Sequence, residues 1–416
     1  MLDKLESNNG LTTTAIRQAL AASLEGKNLR KALLIPPDIT RAHSGGGLIT
    51  QLYYELLTEA GVHVDILPAL GTHAPMTQEE QLAFFGGIPE ERFLVHNWRT
   101  GVHSLGEIPA AFVKEASTGI TDKPIPVEIA NALTQYDRLF SIGQVVPHEV
   151  VGMANFTKNI VVGCGGSGFI SASHMVGAAY GAERIMGETD TPVRRLFDYA
   201  EEHFLGGLPL TYVLTVTVTE GDELRIIGLY IGEGPERRRA FEAAAALSRQ
   251  RNITHLPRPI KTCVVWLDKK EFHSTWVGNK AVYRTRMALA EGARLLILAP
   301  GVKTFGEDAD NDRLIRKYGY CGRENVLALC KTEKDLQSNL SAAAHLIHGS
   351  SDGRFQIAYA APLLGREAVE VVGYQYADYD EMARRYNPNA LKPGFNMVDG
   401  EEIYYVHNPA LGLWKC

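Results

Sequence analysis

The stretch Val145–Asn159, VVPHEVVGMANFTKN, sets a histidine and a lysine ten residues apart in an otherwise apolar segment broken by glycine. His148 is of the one residue type whose ordinary titration falls near neutral pH. Lys158 stands among apolar neighbours, which lower an amine's pKa and make it a better nucleophile; the alternative is a lysine that merely extends its ammonium to water at the start of a strand. Arg41 in PPDITRAH precedes SGGG. A guanidinium fork beside glycine-exposed amides suits a carboxylate or phosphate, although Asp38 and Arg41 could equally close a turn as an ion pair. His73 in GTHAPMT is either a general base or a loop tie. His174 in ISASHMVGAAYG is either a metal ligand or a helix-face residue held by hydrogen bonds. Lys280 in STWVGNKAVYR stands near a helix start, an unfavourable place for a cation unless an anion or ligand is near. GCGGSG has the glycines of a phosphate cradle without the lysine and hydroxyl spacing of a P-loop.

The elements around these residues explain how they could meet. Three apolar, strand-like runs stop at turn and polar residues: KALLIPPDITR at Asp38 and Arg41, VHVDILPALGTHAPMT at His73, and YDRLFSIGQVVPHEV at His148. Between the first two, Leu48, Leu52, Leu56 and Leu57 mark one face of a helix, predicting a strand-helix-strand crossover. Thr77 and Glu80 have the spacing of a capping box. In a parallel sheet the three strand ends share one edge, where α/β folds bind ligands. LTYVLTVTVTEGDELRIIGLYIG reads as a hairpin around Gly221-Asp222, so part of the sheet is expected to be antiparallel. PERRRAFEAAAALSRQ predicts a helix opened by Pro235, and NITHLPRPIKT reads as an interdomain linker. Beyond it the order is strand TCVVWL, helix GNKAVYRTRMALAEGA, strand RLLILAP, helix around TEKDLQSNLSAAAHLI and strand FQIAYAAPLL. We therefore expect two α/β domains with mixed, mainly parallel sheets, over 1–258 and 259–416.

Composition narrows the class. A chain of 416 residues exceeds one ordinary core, and 45% hydrophobic with 22% charged residues describes a soluble globular protein. The 42 basic and 48 acidic residues leave a charge of −6, so nothing calls for nucleic acid. Without an apolar run of membrane-spanning length or a signal-like start, the cytoplasm is the expected location and no membrane partner is expected. Five scattered cysteines suggest neither a disulfide framework nor a zinc knuckle.

Taken together, DITR, GTH, PHEVVGMANFTK and SASH resemble the nickel-dependent lactate racemase family in order and spacing, with intervals of 10 from His148 to Lys158 and 26 from His148 to His174. The resemblance runs from about Leu33 to about Gln356 and is strongest in the first half. It implies two α/β domains with the site in the interdomain cleft, and a nickel pincer nucleotide, derived from a pyridinium mononucleotide, joined to Lys158 by a thioamide link. It further implies His174 as the protein ligand to nickel, Asp38, Thr40 and Lys280 as cofactor contacts, and His73 and His148 as the acid/base pair. Arg41, Lys280, Trp276 and Phe355 are the implied substrate-binding groups. Cofactor-synthesis proteins are the implied maturation partners and a small 2-hydroxy acid the implied substrate.

That reading makes chemical sense. The α-hydrogen of a 2-hydroxy acid is a very poor acid, so abstracting it as a proton faces a prohibitive barrier. Removing the hydroxyl proton while C2 delivers hydride to an electrophilic cofactor avoids it, and return of hydride to the other face inverts the centre. Such symmetry asks for a base on each side, which two histidines supply, and for an arginine that retains the intermediate by its carboxylate.

Departures from the family pattern bear on the substrate. Trp276 and Val277 stand where the family commonly has tyrosine and glutamine, Phe355 in GRFQ stands where a tryptophan is expected, and VGMANFTKN replaces a wording rich in serine and glycine. These point to a 2-hydroxy acid larger or more polar than lactate, such as an aldonate, and so to a 2-epimerase (for example, of gluconate). Two other readings are a zinc metallohydrolase with His73, His148 and His174 around the metal and Glu149 activating water, and a catalytically silent cofactor-binding homologue.

Overall fold

A computed structural model describes residues 2–220, 223–410 and 412–416. The chain divides into two compact units, one of Met1–Ser173 with Gly187–Asn252, the other of His174–Met186 with Ile253–Cys416. Each has a six-stranded sheet.

In the first unit KALLI forms the strand Lys31–Ile35, buried from Ala32 onward. An unbroken aliphatic run is what a strand covered on both faces requires. It pairs in parallel with His63–Ile66 and with Arg138–Gln144, so the three strand ends singled out in the sequence are neighbours on one edge. Arg138–Gln144 continues in parallel to Leu210–Glu220, which returns antiparallel as Glu223–Glu233; Leu2–Glu6 closes the antiparallel side. The Gly-Asp turn of that hairpin lies outside the described residues.

The crossover helix is Gly46–Glu59, with Ile49, Leu52, Tyr53 and Leu57 buried and Leu48 and Leu56 packed on its flank. At Gly47 a Cβ would come 2.2 Å from the Phe84 carbonyl oxygen, so only glycine lets the two segments touch. Thr77 and Glu80 form the expected capping box of Gln78–Phe85. Pro235 lies in a 3-10 turn, Gly234–Glu236, that leads into the helix Arg237–Asn252.

In the second unit the sheet order is Gln375–Tyr376, Gln356–Ala360, Leu289–Leu298, Ile260–Trp266, Glu401–Val406, Gly394–Val398. All neighbours are parallel except the last pair. Three local expectations are corrected here. GNKAVYRTRMALAEGA is not one helix: Lys280–Thr285 is helical, but the chain has entered a strand by Leu289, where Ile260 pairs with it and Gly292 takes φ 73°. NITHLPRPIKT is not simply a linker, because Ile253–His255 pairs in parallel with Leu413–Lys415. The helix around TEKDLQSNLSAAAHLI is two, Lys334–Ser338 and Leu340–His348, separated at Asn339, whose side chain caps the second. Among the described residues no helix is long and apolar enough to cross a membrane.

Candidate functional site

After Ile35 two prolines withhold backbone donors and end the regular strand, and the chain turns into the 3-10 segment Ile39–Ser44 with Asp38 as its cap. Asp38 accepts hydrogen bonds from the Thr40 amide (3.1 Å) and hydroxyl (2.5 Å). His73, arriving from the next strand end, lies with Nδ1 2.5 Å from Asp38 Oδ2. Burial of Asp38, only 4% exposed, opposes its ionisation, but His73, Thr40 and Arg41 outweigh that and hold its carboxyl at about 2. A carboxylate can only accept, so His73 donates through Nδ1, which leaves Nε2 as the ring nitrogen not committed to Asp38. Asp38, expected as a cofactor contact, accepts from His73 in this structure. Arg41 sits at the kink of the 3-10 segment (φ −120°, ψ 38°), and its charge reaches Asp38.

His148 is 5% exposed and ends the short strand Pro147–His148, paired antiparallel with Gly152–Met153. Its Nδ1 accepts the Val150 amide at 3.1 Å and lies 3.6 Å from Glu149 Oε2. An unprotonated Nδ1 therefore has an amide to accept from, and a protonated Nδ1, in the neutral or the charged ring, has a carboxylate to pair with.

Lys158 follows two consecutive non-glycine residues with positive φ, Asn155 (64°) and Phe156 (61°). Such backbone costs about 1–3 kcal/mol per residue and persists only where the surroundings enforce it. Here Asn155 Oδ1 accepts the Phe156 amide (2.7 Å), and the Phe156 ring lies against Phe241 (5.0 Å, stacked) and Tyr212 (4.6 Å). Gly143 makes room: a Cβ there would stand 2.0 Å from Asn155 Nδ2. Asn159 Nδ2 donates to the Ile35 carbonyl (3.1 Å) and to Ser141 Oγ (3.0 Å), tying the helix Thr157–Val161 to two central strands. Lys158 is partly buried as a residue, and its amine is lowered from 10.5 to about 7, chiefly by burial and then by Arg41, with Glu149 and Asp38 pulling the other way. Asp38, Thr40, Arg41, His73, His148 and Lys158 all lie in the first unit, and hydrogen bonds and charge link Asp38 to Thr40, His73, Arg41 and Lys158.

GCGGSG is a packing motif. The amides of Gly163, Cys164, Gly165 and Gly166 donate to the carbonyls of Lys158, Ile160, Val162 and Glu128, and a Cβ on Gly165 would lie 1.8 Å from the Val161 oxygen.

The remaining expected residues belong to the second unit. His174 is partly buried in the helix Ser167–Tyr180. Trp276 stacks on His345 (4.3 Å, 20°), whose Nε2 is 3.0 Å from the Tyr320 hydroxyl. Lys280 opens its short helix with the ammonium 5.7 Å from the Phe272 ring centre. Phe355 packs in the apolar core. Among the described residues no group of three or more His, Cys, Asp or Glu could hold a metal ion.

Two residues carry weight beyond their sequence signal. Glu149 had only its adjacency to His148 to mark it. Arg194 could be noticed as an arginine inside the apolar stripe Val193, Leu196, Phe197 and Ala200.

Fold and site together describe a two-unit α/β protein with titratable groups at the carboxyl edge of a parallel sheet. Residues 7–185 match the model of the lactate racemase N-terminal domain. A crystal structure of a Thermotoga maritima protein is 25% identical, covering 99% of both chains with a TM-score of 0.85. The lactate racemase apoprotein from Thermoanaerobacterium thermosaccharolyticum shares the fold at 16% identity, covering 96% of this chain and 89% of that one with a TM-score of 0.71. Curated protein sequences give no match.

Proposed function

We propose that the protein is a racemase or epimerase that inverts C2 of a 2-hydroxy acid, with a nickel pincer nucleotide carried on Lys158. The observation that carries this reading is the Lys158 amine, lowered to about 7 on a strained turn beside Asp38 and Arg41. A neutral amine is what covalent attachment to a carboxyl-derived group needs, so the residues fit the group. When bound, the group supplies an acceptor for the C2 hydride.

The chain's own residues do the rest. Arg41 grips the substrate carboxylate with its fork. His73, with Nδ1 committed to Asp38, takes the hydroxyl proton at Nε2, and the adjacent carboxylate steadies the imidazolium that results. His148 acts on the opposite face: with Nδ1 protonated and turned to Glu149, it gives a proton from Nε2 and is left as the tautomer ready to take one back. Lys280 and Trp276 carry over as substrate contacts, His174 as the nickel ligand, and Thr40 as a group that fixes Asp38. Trp276, in place of the family's tyrosine, favours a substrate larger or more polar than lactate, an aldonate first.

The test is stereoinversion by cofactor-loaded protein across a panel of enantiopure 2-hydroxy acids, followed by chiral chromatography. Inversion of a polyhydroxylated acid faster than lactate is expected. Loaded protein that inverts none of them refutes the reading.

A further inference from the structure

Arg194 lies on the buried face of the helix Pro192–His203 and is 0% exposed. A buried charge without a carboxylate in contact is among the costlier groups a core can hold; Asp198 and Glu201 bear on this one by charge, but among the described residues no carboxylate forms an ion pair with it. Asp198, one turn on, bonds Arg238 at 2.5 Å instead. The Arg194 guanidinium sits 4.5 Å from the Phe241 ring centre, 5.6 Å from Phe197 and 5.9 Å from Phe156. Its Nη2 donates to the Met153 carbonyl at 2.6 Å, while Nε and Nη1 have no partner.

Those contacts converge on one loop. Met153 is the strand partner of Pro147, next to His148. Phe156 is the second positive-φ residue before Lys158. Thr191, which caps the helix by accepting the Arg194 amide, also donates to the Val151 carbonyl at 3.3 Å. The first turn of the helix thus grips the loop between His148 and Lys158 at Val151, Met153 and Phe156.

We propose that Arg194 is a positioning residue: from the buried side it clamps the turn between His148 and Lys158 and adds a cation to the surroundings of the Lys158 amine. The inference deepens the proposed function, since it concerns the same site, but its test needs neither substrate nor cofactor. The charged groups that bear on Lys158 are Arg41, Glu149, Asp38 and Arg194, and of these Arg194 is the buried cation.

Cofactor-free protein is methylated with ¹³C-formaldehyde and a borohydride from pH 5.5 to 10, and the Lys158 peptide is quantified by mass spectrometry. Removing a neighbouring cation lets the amine hold its proton to higher pH, so Arg194→Met should raise the Lys158 midpoint by about half to one pH unit, roughly three- to tenfold less modification at fixed pH below it. Arg194→Lys, which keeps the charge, should restore the midpoint to within about 0.2 of wild type. A purely structural role would lower thermal stability and leave the midpoint in place. Should Arg194→Met not fold, Arg194→Gln takes its place. An unchanged midpoint in a folded neutral variant, or equal shifts in the lysine and neutral variants, overturns the proposal. Failure of 2-hydroxy acid inversion would bear on the proposed function alone.

Discussion

Replacing Lys158 by methionine keeps most of the side-chain volume and removes an amine whose charged form is disfavoured where it sits. In the unfolded chain the lysine keeps its proton up to about pH 10.5; in the folded unit it loses it near 7. Between those values the unfolded state binds the extra proton, so wild-type stability rises with pH across this window relative to the variant. The cost of holding the charge is full below pH 7 and gone above pH 10.5. The depression from 10.5 to about 7 corresponds to about 5 kcal/mol at ~1.4 kcal/mol per pH unit; partial exposure reduces that to about 2–3 kcal/mol. Urea unfolding of unmodified wild type and Lys158→Met, followed at pH 6, 7, 8, 9 and 10 by a probe in the first unit, should show the variant about 2–3 kcal/mol more stable at pH 6. The advantage should shrink steadily to near zero by pH 10. Parallel stability curves for the two proteins over this range would refute the depressed amine and the reasoning built on it.

Other perturbations separate the proposed roles. His73→Ala and His148→Ala should each abolish inversion in both directions, measured from either enantiomer, because one turnover uses both rings; near-normal racemisation by either variant would rule out the two-base scheme. Asp38→Asn removes the acceptor that fixes the His73 tautomer (Nδ1 to Oδ2, 2.5 Å) and should lower kcat by roughly 10³- to 10⁴-fold with folding preserved. Glu149→Gln deprives protonated His148 of its carboxylate and should slow inversion by about 10- to 100-fold; unaltered rates would leave Glu149 without a role. Gly143→Ala places a Cβ 2.0 Å from Asn155 Nδ2, so it should lower stability by about 1–3 kcal/mol and disturb the Lys158 turn, seen as altered reductive methylation of that lysine.

The sequence is most legible where neighbouring residues alone decide the structure. The aliphatic run before Pro36-Pro37, the leucine-rich helical face and the Thr77-Glu80 spacing each specify an element locally, and the resulting parallel strands bring Asp38, Arg41, His73 and His148 to one edge. The features that escaped depend on distant partners. Leu289 becomes strand because Ile260 and its neighbours offer hydrogen bonds there, although Met-Ala-Leu-Ala favours helix. The four amides of the glycine cluster are taken up by carbonyls of the Lys158 helix and of Glu128, which no local motif reveals. The strain at Asn155 and Phe156 is written into two ordinary residues and enforced by Phe241, Tyr212 and Gly143. Lys158 shows both sides: its apolar setting suggested a lowered pKa, while the opposing contributions of Arg41, Glu149 and Asp38 emerge only once the strands are assembled.

The most direct test of the central claim is the intact mass of protein purified from its natural source, with peptide mapping of residue 158. A covalent adduct confined to Lys158, absent from Lys158→Ala and from protein made in a host without the cofactor pathway, is the expected result. Unmodified protein that inverts a 2-hydroxy acid at full rate would contradict it.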